Sequence, residues 1–216
     1  MADRALDVAR ELCAFLDASP TPFHACAESA RRLERAGFRR LLEREPWPRE
    51  AGRFYVVRGG SLAAWAVPAD AEPARGLRLI GAHTDSPNLR LKPRPDLGRA
   101  GLRQLGIEVY GGVLLNSWLD RDLALSGRVF LRGKEGPEER LFRLDGPLLR
   151  IPQLAIHLNR EVTSEGLVLN PQVHLNPILA SESGSEPGFR ELVARALEIA
   201  PDALSTWDAM CHDAQP

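Results

Sequence analysis

The fold class this sequence predicts is α/β, and three observations carry the prediction. Apolar residues at helical spacing dominate the stretch before Gly37, β-like runs follow on either side of Gly59-Gly60, and short β-rich segments broken by Gly, Pro or charged turns fill most of the rest. Helices therefore gather before about Pro93 and strands after it, which places a domain boundary there.

Taken in order, Ala5, Leu6, Ala9, Leu12, Cys13 and Leu16 share one face of a helix over residues 5–16, with Asp3 in front as its cap. Pro20 breaks that helix. A second begins at Thr21, which suits the N-cap, with Pro22 in the first turn where no amide hydrogen is needed. Gly37 stands where a glycine usually ends the last turn. Strands are expected over 53–58 and 61–67, joined by Gly59-Gly60 as a hairpin turn, and over 77–82. Past "LKPRPDLGRAG" come β segments at 106–115, 125–131 and 141–149, with "RGKEGPEER" as the plainest turn. A helix over 186–199 and a last strand in "PDALSTWDAMCHDAQP" complete the reading. The expected domains are 1–92, 93–205 and a returning strand at 206–216.

Bulk properties narrow the function classes. The chain has 216 residues, is 44% hydrophobic and 26% charged, and carries a formal net charge of −1, so no global field favours nucleic acid or an acidic membrane surface. The N-terminus has acidic residues from position 3 and no unbroken apolar run, unlike a signal peptide or a membrane span. Cys13, Cys26 and Cys211 are odd in number and show no CxxC spacing, which points to a reducing cytoplasm; Cys13 and Cys26 are expected as small buried thiols. No glycine-rich phosphate loop follows any strand, which disfavours a nucleotide-binding module.

The chemistry gathers in "RLIGAHTDSPNLRLKPRP". His83 and Asp85 lie two positions apart, so on extended chain they share a face. An imidazole can bind zinc through one nitrogen while a carboxylate behind the other fixes its tautomer. His-x-Asp alone is a weak pattern, and a surface turn capped by Asp85 is its ordinary alternative. Among the other histidines, His24 opens the second helix, His174 lies in a proline-flanked loop, and His212 and Asp213 are adjacent and face opposite ways on a strand. Asp120 and Asp122 in "WLDRDL" are expected to form a structural ion-pair cluster with Arg121 and Arg128. None of these has convincing ligand spacing, and zinc needs about three or four protein ligands.

"IGAHTDSPNLRLKP" closely resembles the first metal-ligand segment of the aspartyl aminopeptidase family, peptidase family M18. Further blocks follow in the family's order: "DASPTPFHA", "QLGIEVYGGVLLNSWLDRDLALSGRV", "IPQLAIHLNREV" with "LNPQVHLNPIL", and "CHDAQP", which is similar to a "DTQP" element. The resemblance implies the N-terminal part of a zinc-aminopeptidase α/β/α domain carrying an inserted β-rich dimerisation domain. It implies a cytosolic homo-oligomer that releases N-terminal Asp or Glu from peptides, with two zinc ions activating a water and a glutamate taking its proton. His83 becomes a metal ligand and Asp85 its orienting partner. His157 becomes a residue that reaches a neighbouring subunit's site and donates to the developing oxyanion. The family's other ligands lie beyond the "DTQP" element, so this sequence corresponds to about the first half of a member. A product of this length without peptidase activity, serving as an assembly or regulatory module, is the alternative. An oligomeric or aggregation-prone chain is expected, because strand 77–82 would seek partners beyond it.

Overall fold

The computed structural model describes residues 2–72, 76–134, 136–184 and 186–215. These fall into two compact units, one running up to Ser86 and the other starting at Pro87.

In the first unit, helix α1 (Ala2–Asp17) is followed by α2 (Pro22–Arg35). The Thr21 hydroxyl accepts the His24 amide at 3.3 Å, the N-cap bond expected from sequence. At the other end Phe38 N donates to Leu33 O (3.0 Å) and Gly37 N to Glu34 O (2.9 Å), a Schellman closure. Gly37 sits at φ 81°, a conformation that costs a residue without Cβ little. A small sheet follows, with β1 (Arg39–Arg40) parallel to β2 (Gly52–Arg58) and β2 antiparallel to β3 (Ser61–Val67). The register Arg58↔Ser61 makes Gly59-Gly60 the two-residue hairpin turn. Phe23, Ala25 and Cys26 of α2 and Phe54, Tyr55 and Val56 of β2 form this unit's core. Tyr55 is fully buried and its hydroxyl donates to Glu34 Oε1 at 2.5 Å. Burial and the neighbouring carboxylate push that phenol up to about 12.

The strand expected over 77–82 is absent. Those residues have no strand partner among the described residues, and Leu79 and Ile80 are 87% and 96% exposed. An apolar run has strand propensity, but a strand exists only where a neighbour completes its ladder. Cys13, expected buried, is exposed because α1 turns much of its apolar face outward; Cys26 is buried as expected, which raises its thiol pKa.

The second unit is a closed six-stranded barrel: β4 (Asn88–Arg99), β5 (Leu102–Tyr110), β6 (Asp122–Gly133), β7 (Gly136–Arg150), β8 (Ile178–Ser181) and β9 (Leu204–Asp213), in the order β4-β5-β8-β7-β6-β9. Alternate residues point inward, so Leu89 and Leu91, Leu105 and Ile107, Leu123 and Leu125, and Ala209 and Cys211 build one core. This unit also carries α-helices, among them a single turn α3 (Pro171–His174) and α4 (Phe189–Ala196). α4 is shorter than the expected 186–199, since Gly188 is its N-cap; it delivers Phe189 and Val193 to the core. Phe189 meets Trp207 edge-on with ring centres 5.0 Å apart.

Strand β4 runs through Pro93, where a domain boundary was expected, and includes Pro95. Both are accommodated where β4 bulges, between the pairs Leu91↔Ile107 and Asp96↔Leu105. "RGKEGPEER" is mostly strand rather than turn; its residue 135 lies outside the described residues. Gly127 is required where β6 meets β9, because a Cβ there would collide with the main-chain carbonyl of Asp208.

Candidate functional site: a one-ligand histidine segment

His83 lies on an extended, exposed stretch of the first unit that carries no strand pairing. The Thr84 hydroxyl ties it to the hairpin turn, donating to the carbonyl of Gly60 at 2.5 Å. His83 Nδ1 stands 2.6 Å from the Asp85 main-chain carbonyl and 3.6 Å from Asp85 Oδ1. Both are acceptors, so the neutral ring carries its proton on Nδ1 and leaves the Nε2 lone pair outward. The sequence reading gave this orienting task to the Asp85 carboxylate. In the structure the same residue's backbone makes the short contact, with the carboxylate close behind. The ring is 80% exposed, so its outward nitrogen is accessible.

Does the chain hold a metal there? Among the described residues no group of three or more His, Cys, Asp or Glu side chains comes together. A zinc ion needs about three or four protein ligands, and the His83 segment offers one imidazole. These residues do not fit a zinc ion by themselves.

His157 belongs to the other unit, on an exposed 3-10 turn over Ile156–Leu158 flanked by the exposed Leu154 and Leu158. The remaining histidines have local tasks. His24 Nδ1 lies 2.8 Å from the Thr21 hydroxyl, and His174 Nδ1 accepts the Asn170 amide at 3.0 Å. His212 Nε2 lies 2.8 Å from Ser126 Oγ inside the barrel wall, and burial holds its pKa below the ordinary value.

Asp120 and Asp122 do sit among structural polar contacts, but with different partners from those expected. Asp122 pairs with Arg150 at 2.7 Å, Asp120 accepts the Gln153 amide at 3.2 Å, and Arg121 pairs with Asp213. Arg128 joins a cross-strand ladder that sequence reasoning missed: Arg90 of β4 to Asp208 of β9 (2.8 Å), Asp208 to Arg128 of β6 (3.0 Å), Arg128 to Glu139 of β7 (3.5 Å). Arg90 and Arg128 lie 118 and 80 positions from Asp208, and the register of the barrel brings them together.

The sequence model of the family described as "Aminopeptidase I zinc metalloprotease (M18)" matches residues 15–216. The chain belongs to the M18 aminopeptidase family. It is 50% identical over 208 residues to the "Probable M18 family aminopeptidase 2" of Streptomyces avermitilis, covering 95% of this chain and 47% of that protein. An M18 fold is equally plain in the solved structures. A chain of the Ape4 and Nbr1 complex superposes with a TM-score of 0.90 at 31% identity, covering 96% of this chain and 44% of that one. The mApe1 dodecamer of Saccharomyces cerevisiae gives 0.75 at 26% identity, covering 97% and 48%. The chain thus spans about half the length of the M18 relatives it matches. As a mixed α/β chain with a closed barrel, it aligns with about half of an M18 aminopeptidase.

Proposed function

We propose that this chain supplies the N-terminal half of an M18 aminopeptidase that releases acidic N-terminal residues, Asp or Glu, from peptides. The observation that carries the reading is the family match over residues 15–216. In it His83 is a metal-binding imidazole, held in the competent tautomer by the Asp85 carbonyl. His157 donates to the oxyanion in a neighbouring subunit's site, a task compatible with its exposure on a loop turn. The first unit acts as part of the catalytic domain and the barrel as the dimerisation domain. A relative described as a dodecamer supports a homo-oligomer. Among the described residues no helix is long and apolar enough to cross a membrane, in keeping with action on peptides in the cytoplasm. Two zinc ions serve the family site in this reading, and this chain's described residues offer one of the ligands, so further ligands come from elsewhere.

A second reading draws on that same single-ligand observation: an assembly or regulatory module without peptidase activity. One experiment separates the two. The protein is isolated from the cells that make it, its intact mass is measured, and it is assayed on peptides beginning with Asp, Glu or Leu. The aminopeptidase reading predicts a mass near twice 23.8 kDa, or a second chain co-purifying, with hydrolysis of the acidic peptides. Chelation abolishes that activity and His83→Ala lowers it at least about 100-fold. A 23.8 kDa product without hydrolysis establishes the module instead.

A further inference from the structure

The barrel wall has a slot. Antiparallel strands β4 and β9 pair only at Leu89↔Cys211 and Arg90↔Met210 among the described residues. The ladder would continue through Leu91, Lys92 and Pro93, but from Leu91 to Asp96 β4 is irregular in its pairing with β5, and Pro93 has no N–H to give. A cavity of about 530 Å³ opens where that pairing stops, lined by residues 90–93 of β4 and 205–209 of β9.

Its chemistry is not that of a packing defect. Side-chain parity puts Arg90, Lys92, Tyr110 and Thr206 on the outer face, while Trp207 points to the barrel core. At the inner end Arg190 of α4 lies over the Trp207 ring, 5.4 Å from its centre. Of the cations lining the slot, Arg90 is paired with Asp208 and Lys92 lies 3.4 Å from Glu108. Arg190 has no carboxylate partner among the described residues; its hydrogen bonds, both through Nη1, go to the carbonyls of Pro201 and Leu204. A part-buried guanidinium with donors to spare, stacked on an indole, selects a carboxylate, and its planar fork matches one in two-point fashion. An open strand edge beside it favours a ligand with an extended main chain of its own.

We propose that the slot is a docking site for an extended acidic peptide segment, whose carboxylate side chain passes Lys92 at the rim and pairs with Arg190 inside. This site lies in the barrel, distinct from the His83 segment, and does not depend on the peptidase reading.

The test is a titration of the 216-residue protein with acetyl-Val-Glu-Val-Glu-Val-amide, followed by calorimetry and by the indole resonance of Trp207. The Gln counterpart of the peptide and free acetate are the controls. The proposal expects saturable binding that moves the Trp207 signal. It expects binding at least about tenfold weaker for the Gln peptide, for acetate, and for the Lys92→Gln and Arg190→Gln variants, with further weakening at high salt. Arg190 also holds two carbonyls, so Arg190→Lys is the partner control. It keeps the charge but loses the planar fork, so it is expected to bind more weakly than the parent yet more tightly than the Gln variant. Equal binding of the Glu and Gln peptides overturns the proposal. So does an unmoved Trp207 signal at saturation, acetate binding as tightly as the peptide, or Lys92→Gln and Arg190→Gln both binding like the parent.

Discussion

The barrel and the N-terminal unit treat their apolar side chains differently. Leu89, Leu105, Ile107, Leu123, Leu125 and Val129 are fully buried in the barrel, in one core reached from every strand's inner face. In the N-terminal unit the buried set is smaller, centred on α2 and β2. Leu6, Leu12 and Leu16 of α1 are at least half exposed, and Leu77, Leu79 and Ile80 almost wholly so. A closed sheet pairs its own strands nearly all round, the β4/β9 slot apart, whereas an open three-stranded sheet cannot cover both its faces and its flanking segments. The candidate site follows the same division. His83 lies in the unit that is incompletely buried, and among the described residues it belongs to no group of three or more potential metal-binding side chains. Incomplete packing and an incomplete donor set occur in the same stretch of chain.

The largest effect that bears on this contrast is expected in the barrel core. Leu125→Ala removes a side chain with no exposed surface and leaves a cavity, so the barrel loses about 3–4 kcal/mol, read as a lower urea midpoint with unchanged m-value. A loss under about 1 kcal/mol would mean that the core is looser than its burial indicates.

Next is the charged anchor of the N-terminal unit. Hydrogen bonds from Arg31, and then from Arg32, hold the largely buried Glu28 carboxyl down at about 2, against the opposing effect of burial. A carboxyl depressed from its ordinary 4.5 contributes stability that is fully present above that pH and lost as pH falls toward 2. Both guanidiniums face solvent, so the contribution is on the order of 2 kcal/mol and smaller than the shift alone converts to. Glu28→Gln should lower stability by that amount at pH 7 and flatten the acid limb between pH 4.5 and 2, as followed by circular dichroism.

A smaller effect is expected at the barrel's seam. Asp208→Asn weakens the Arg90–Asp208–Arg128 ladder, in which the Arg90 and Asp208 side chains are about one-third exposed, and costs about 1 kcal/mol or less. Raising the salt concentration should shrink the difference from the parent, because screening weakens what the substitution removes. The smallest effect is expected at Ile80→Asp, within about 0.5 kcal/mol, because that side chain is already in water. In hydrogen exchange, amides of 77–83 should exchange far faster than those of β6.

How much of this was legible beforehand depended on distance along the chain. The α2 cap at Thr21, its end at Gly37 and the Gly59-Gly60 hairpin each need a few neighbouring residues, and each was readable. The 77–82 run misled because its composition speaks for a strand while pairing depends on a partner that the described residues do not offer. In β4 the signal pointed the other way: the change of pattern near Pro93 suggested a domain boundary, whereas the strand runs through it and a bulge absorbs Pro93 and Pro95. For the site, the closeness of His83 and Asp85 followed from i, i+2 spacing, but which oxygen of Asp85 takes the ring proton did not. The ladder and the β4/β9 slot join residues more than a hundred positions apart, and no local pattern announces them.

The most direct measurement is zinc retention by the 216-residue protein: metal content after dialysis against zinc-free buffer, with the His83 ring signals followed during zinc titration. A site with one imidazole predicts less than stoichiometric zinc after dialysis, and His83 signals that move only under large metal excess. One zinc retained per chain, with His83 saturating at equivalence, would contradict the account and require a ligand set that the described residues do not assemble.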